Sequence, residues 1–65
     1  MTKEQIKQTE EKIETLKTMF KKASKNGNYP SMSCIKSKVE GIEFMLNLLG
    51  YKIISEDNKA KVVEM

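Results

Sequence analysis

Apolar side chains in the first third of the chain recur with alternating spacings of three and four residues, which is typical of a helix that buries one stripe. The series consists of Ile6, Thr9, Ile13, Leu16, Phe20 and Ala23. At about 100° per residue these positions form a narrow stripe, and charged or polar residues occupy nearly all of the remaining surface. The spacing predicts a helix over residues 3–25, with Thr2 as its N-cap and Gln5 as the second member of a capping box.

A polar break at residues 26–30 separates this helix from a second series with the same spacing. The second series consists of Met32, Ile35, Val39, Ile42, Leu46 and Leu49, and it predicts a helix over residues 31–49. Ser31 is the preferred cap, and Tyr29 is the alternative if Pro30 takes the first helical position. Two helices with matching stripes and a short loop predict an antiparallel helical hairpin.

Residues 51–65 have the composition of two short strands rather than of a third helix. Asp57 and Asn58 suit a two-residue turn, which would pair Ile53 with Val62. Because an isolated two-stranded ribbon is marginal in water, this segment is predicted to be either a β-hairpin packed on the helices or a loose tail. The predicted fold class is therefore mainly α, as one small domain.

The second helix carries an additional apolar stripe that its partner helix cannot reach. Its members, with Met45 beside them, are predicted to form a protein interface: Cys34, Ser37, Gly41, Phe44, Met45, Leu48 and Tyr51. The C-terminal ribbon could cover this stripe; otherwise a second copy or a target protein must. Chains of this size commonly oligomerise to complete a core, which predicts a homodimer with a four-helix bundle. Cys34 is interpreted as a small apolar member of the stripe rather than as a reactive thiol.

Composition excludes several classes of chemistry. The 65 residues contain no His, Arg or Trp and a single Cys, so a catalytic triad, a Cys/His metal site and a disulfide framework are ruled out. The helical carboxylates all fall on the predicted solvent faces, where a pair of acids is usually just hydrated. We therefore expect a protein that is not an enzyme and that needs no cofactor or metal.

Charge is distributed unevenly along the chain, whose net charge is +3. No acidic residue occurs between Glu14 and Glu40, and the lysines of this stretch are predicted to gather at the tip of the hairpin. Together with the N-terminal amides of the second helix they predict an anion-binding candidate made of Lys21, Lys22, Lys25, Ser31, Ser33, Lys36 and Lys38. Nucleic acid or a nucleotide is the weaker partner, because the chain has no Arg and few aromatic rings.

These observations lead to one functional expectation and one alternative. The polar N-terminus, the absence of a long apolar run and the single Cys predict a cytoplasmic protein without membrane association, and the use of Lys without Arg suggests an AT-rich source such as a phage. We expect a small interaction protein that binds and modulates or inhibits a larger protein. The alternative is a binder of phosphate-bearing ligands, and a purely structural assembly role is a third class.

Overall fold

Two helices followed by two antiparallel strands make up the fold, as described for all 65 residues by a computed structural model. Helix α1 spans Lys3–Lys25, helix α2 spans Tyr29–Leu48, strand β1 spans Tyr51–Glu56 and strand β2 spans Lys59–Glu64. The predicted mainly helical class and the order of elements are confirmed, and residues 51–65 form the β-hairpin rather than a tail.

Helix α1 begins and ends where its sequence predicts. The backbone N–H of Gln5 donates to Thr2 Oγ1 at 3.1 Å, and the backbone N–H of Thr2 donates to Gln5 Oε1 at 2.9 Å. This reciprocal capping box satisfies two donors that the first turn would leave free. The helix stops before Gly27, whose φ of +66° lies in the left-handed region.

The predicted start of the second helix is wrong by two residues. Helix α2 begins at Tyr29, and its cap is Asn28, whose side-chain oxygen accepts from the backbone N–H of Ser31 at 3.3 Å. Neither Ser31 nor Tyr29 is the cap, and the loop is shorter than residues 26–30. Pro30 takes the second helical position, where a missing N–H has no intrahelical acceptor to lose.

The second helix also ends earlier than predicted. Its last residue is Leu48, and Leu49 is the C-cap, with 61% of its surface exposed. Gly50 has a φ of +87° and turns the chain into β1, so the predicted stop is confirmed. Leu49, predicted as the last core position of the stripe, lies outside the core.

A two-residue turn sets the register of the β-hairpin. Asp57 and Asn58 both have positive φ, at 53° and 64°, as the tight turns that match strand twist require. Ile53 is paired with Val62, so the predicted register is confirmed. At the end of the ladder away from the turn, the Met65 N–H donates to the Gly50 carbonyl at 2.9 Å.

The ribbon packs across both helices at the end of the hairpin away from the loop. One buried cluster there joins Ile13 of α1 and Leu46 of α2 to Ala60 and Val62 of β2. A second cluster of Leu16, Ala23 and Ile35 fills the end near the loop. The ribbon therefore extends the main core and does not lie over the additional stripe of α2.

A carboxylate fastens this ribbon to α1. The Val62 N–H donates to Glu10 Oε2 at 2.8 Å in a half-buried position. The prediction that every helical carboxylate is hydrated is therefore wrong for Glu10. The bond satisfies an outward-pointing donor of β2, because Val62 and Ile53 form a non-hydrogen-bonded pair within the ladder.

Candidate functional site

Four large apolar side chains are exposed together at the C-terminal end of α2. The exposed fractions are 62% for Phe44, 58% for Met45, 67% for Leu48 and 61% for Leu49. With Gly41, one turn before them, they form what we call the α2 surface. Contiguous exposed apolar side chains on a small protein mark contact sites more often than isolated ones do.

Helix geometry explains why the chain leaves this surface bare. Leu46 is buried against α1 and the ribbon, and Leu48 is two residues, or about 200°, further round α2. On α1, Glu10 binds the ribbon, and Lys12 is again about 200° away. The ribbon therefore covers one side of the helical hairpin, and the α2 surface belongs to the other side.

A groove of about 550 Å³ runs between the two helices on this uncovered side. Its lining residues are Thr9, Lys12, Leu16, Lys38, Gly41, Ile42, Met45, Leu46 and Leu49. The Thr9 hydroxyl donates to the Gln5 carbonyl at 2.7 Å, so it requires no partner in the groove. Lys12 and Lys38 are the charged residues of the lining, which makes the groove apolar with a positive rim.

Gly41 has no structural reason to be glycine within a single chain. A methyl group added at this position would meet no atom within 4 Å, and its φ is not in the left-handed region. Glycine inside a helix costs up to about 1 kcal/mol relative to alanine. Nothing within 4 Å of this position in the molecule offsets that cost.

The structure brings together most of the predicted interface and separates one member from it. Cys34 and Ser37 are exposed on the same face of α2 as Gly41 and extend the surface toward the N-terminus of the helix. Tyr51 instead packs half-buried against the Ile13–Val62 cluster, and its hydroxyl accepts from the Met1 ammonium group at 3.1 Å. Tyr51 therefore belongs to the edge of the core.

Leu49 and Lys12 belong to the uncovered side and were missed by the sequence prediction. Leu49 fits the three-four series of the core stripe, but it is the C-cap of α2 and lines the open groove instead of being buried. No sequence feature at Lys12 predicts that it lines this groove.

The lysines near the loop do not gather at one place. Lys17, Lys21 and Lys36 line a second groove of about 250 Å³, and Lys17 Nζ lies 3.4 Å from Glu14 Oε2. Lys38 borders the first groove, on the other side of the hairpin. Lys22 lies beside the loop together with Ser31, and Lys25 and Ser33 are exposed.

The start of α2 offers no free backbone donor to an anion. The N–H of Asn28 donates to Ala23, that of Tyr29 donates to Gly27, and that of Ser31 donates to the Asn28 side chain. Pro30 has no N–H. An anion at this end would therefore be held by lysine and serine side chains, without backbone donors.

No group of three or more Cys, Asp or Glu side chains that could hold a metal ion occurs. Neither helix has the combination of length and apolarity needed to cross a bilayer.

Comparisons with protein-family models, with curated proteins and with solved structures give no match.

Proposed function

We propose that this chain is a small non-enzymatic interaction protein that binds a larger protein through the α2 surface and thereby modulates or inhibits it. The observation that carries the proposal is the exposure of Phe44, Met45, Leu48 and Leu49 within two helical turns. A cytoplasmic setting and a phage-type accessory role belong to the same proposal and rest on composition, since all basic residues are Lys.

The chemistry of the surface suits protein recognition. Aromatic residues and Met are enriched where proteins meet, and Met adapts to irregular partner surfaces. Complete burial of a large apolar side chain is worth about 1.5–3 kcal/mol. Burial of these four side chains against a partner is therefore the main favourable contribution that this surface offers to binding.

A photo-crosslinking side chain tests this proposal in cells of the natural host. We would place it at position 48 and, as the matched control, at position 47, because Asn47 is exposed about 100° further round the same helix, on its polar edge. We expect an adduct with a larger protein from position 48 and none from position 47. Equal labelling from both positions, or no heavier adduct from position 48, would overturn the proposal.

Binding of a phosphate-bearing ligand, either nucleic acid or nucleotide, is the second candidate. In its favour, Lys17, Lys21 and Lys36 surround one groove. Against it, the amides near Ser31 are already bonded and Lys38 lies on the other side of the hairpin. Any such binding would be through phosphates and would weaken steeply with salt.

Fluorescence anisotropy with a labelled single-stranded oligonucleotide and with a labelled nucleotide tests this second candidate. Replacing both Lys21 and Lys36 by Glu reverses two charges that line this groove at exposed positions, so it should abolish binding and leave the helical circular dichroism unchanged. Replacing Lys52 and Lys59 on the ribbon is the control for net charge alone. Binding that survives the first pair, or that is lost equally with the second, contradicts a site at the hairpin tip.

A further inference from the structure

We propose that a second copy of this chain covers the α2 surface, with the two α2 helices antiparallel and the two-fold axis at Gly41. The inference rests on the proposed function in one respect, because both assign contacts to the α2 surface. The second copy and the larger protein would therefore compete for the same side chains. It goes beyond that function by fixing the occupant, the direction and the register.

The sizes of the side chains along the exposed face are complementary about Gly41. Cys34 and Leu48 each lie seven residues from it, and the pair at positions 37 and 38 is as distant as the pair at positions 44 and 45. Antiparallel packing therefore places Cys34 opposite Leu48 of the second copy. It places Ser37 level with Met45 of the second copy and within one residue of the level of Phe44, so each small side chain meets a large one.

Gly41 itself falls where the two helices cross. Because it has no Cβ and nothing within 4 Å of where one would be, the two backbones can approach closely at that level. The large residues on either side can then reach the opposite helix. The close crossing accounts for a glycine that the single chain leaves unexplained.

The charges of α2 favour the same direction. Lys38 borders the uncovered groove, whereas Lys36 lines the groove on the other side of the hairpin. Antiparallel packing separates the Lys38 side chains of the two copies along the helix axis, and it also opposes the two helix dipoles. The aliphatic stem of Lys38 can lie along Met45 of the second copy with its ammonium group in water.

Parallel packing would be worse on each of these points. It would put Phe44 against Phe44 and Leu48 against Leu48 at one end, and Cys34 against Cys34 at the other. The large end would force the helices apart and leave a gap at the small end. Lysine would also lie beside lysine.

The exposed stripe is long enough for a second helix to pack along it. The stripe from Cys34 to Leu48 is about 21 Å long at 1.5 Å per residue. A modest specific interface buries about 600 Å² on each partner, which is roughly one eighth of the 5059 Å² of the chain. The ribbon lies on the other side of the hairpin and leaves this approach open.

Sedimentation equilibrium and disulfide mapping test the inference together. We expect the wild-type chain to be in a concentration-dependent monomer–dimer equilibrium. In Leu48→Cys, with the native Cys34 present, mild oxidation should give a covalent dimer linked 34 to 48. An intrachain bond is excluded, because these positions are about 21 Å apart in one helix.

Two controls separate the alternatives. The double variant Leu48→Cys, Cys34→Ser and the wild type each hold one thiol per copy, and in the antiparallel register identical positions are too distant to cross-link. Asn47→Cys keeps Cys34 but moves the new thiol to the polar edge, so its yield should fall at least tenfold. Bonds from 34 to 34 or from 48 to 48 indicate a parallel pair and overturn the inference, as does a wild-type chain that stays monomeric.

The two proposals fail in different ways. A monomeric chain whose position 48 still labels a larger protein in cells refutes the second copy and leaves the proposed function intact. A 34-to-48 linked dimer whose position 48 labels only itself in cells supports the second copy and refutes the larger partner.

Discussion

The two sides of helix α2 are similarly apolar in sequence and opposite in environment. Ile35 and Leu46 on one side are 5% and 4% exposed, whereas Phe44 and Leu48 on the other are 62% and 67% exposed. The difference does not come from hydrophobicity, because both sides carry large aliphatic or aromatic residues. It comes from what the chain packs against each side: α1 and the ribbon cover one, and nothing in the same chain covers the other. An apolar stripe therefore indicates that a contact is needed and does not say which molecule provides it.

The largest expected contrast compares Leu46→Ala with Leu48→Ala. Removing the buried Leu46 side chain should cost about 2–5 kcal/mol, which approaches the whole stability expected of a chain this short. Leu48→Ala should change the stability of the monomer by less than about 0.5 kcal/mol. Urea unfolding followed by circular dichroism at low protein concentration measures both. Similar losses in the two variants would mean that Leu48 is covered within the single chain.

Leu48→Lys tests the same contrast between the two sides of α2, with self-association as the measured quantity instead of stability. Replacing the leucine removes about 1.5–3 kcal/mol of apolar burial from any contact made there, so self-association should weaken at least tenfold. The helical circular dichroism should not change. Light scattering over a range of concentrations gives the mass, with Asn47→Lys as the control for added charge. A dimer that persists in Leu48→Lys would locate the interface elsewhere.

Glu10→Ala tests what holds the ribbon on the covered side. The change removes the acceptor of the Val62 N–H, so unfolding should become easier by about 1–2 kcal/mol. Hydrogen exchange at the Val62 amide should accelerate more than exchange in the middle of α1. Glu11→Ala, an exposed neighbour, is the control and should stay within about 0.5 kcal/mol of wild type. Equal effects in the two variants would contradict the anchoring role of Glu10.

Gly41→Ala should have opposite effects on folding and on pairing. Within one chain the added methyl group meets no atom, so the monomer should gain up to about 1 kcal/mol of stability. Between two copies the methyl group would occupy the crossing point, so dimerisation should weaken. Unfolding at low concentration and sedimentation at high concentration measure the two effects. If both monomer stability and dimerisation increased, Gly41 would not be part of the interface.

Local features of the fold could be predicted because a few neighbouring residues decide them. The Thr2–Gln5 capping box, the stop at Gly50 and the turn at Asp57 each depend on groups within about four positions. The error at the start of α2 is local as well. Asn28, Tyr29 and Ser31 compete for one cap, and the Asn28 side chain, which reaches the third amide, takes it.

The amino-acid sequence by itself determined the two helices, the register of a C-terminal β-hairpin and the existence of two apolar sides on α2, and it left open whether that hairpin forms or stays a loose tail. Only the tertiary structure decided that the ribbon lies with Ala60 and Val62 on Ile13 and Leu46, that Glu10 anchors it, and that the loop lysines are divided among separate surfaces. The physical reason is that both sides of α2 present similar apolar area to a ribbon tethered through the same short connection. The choice between them depends on the combined packing of distant side chains and on one long-range hydrogen bond, neither of which a local pattern contains.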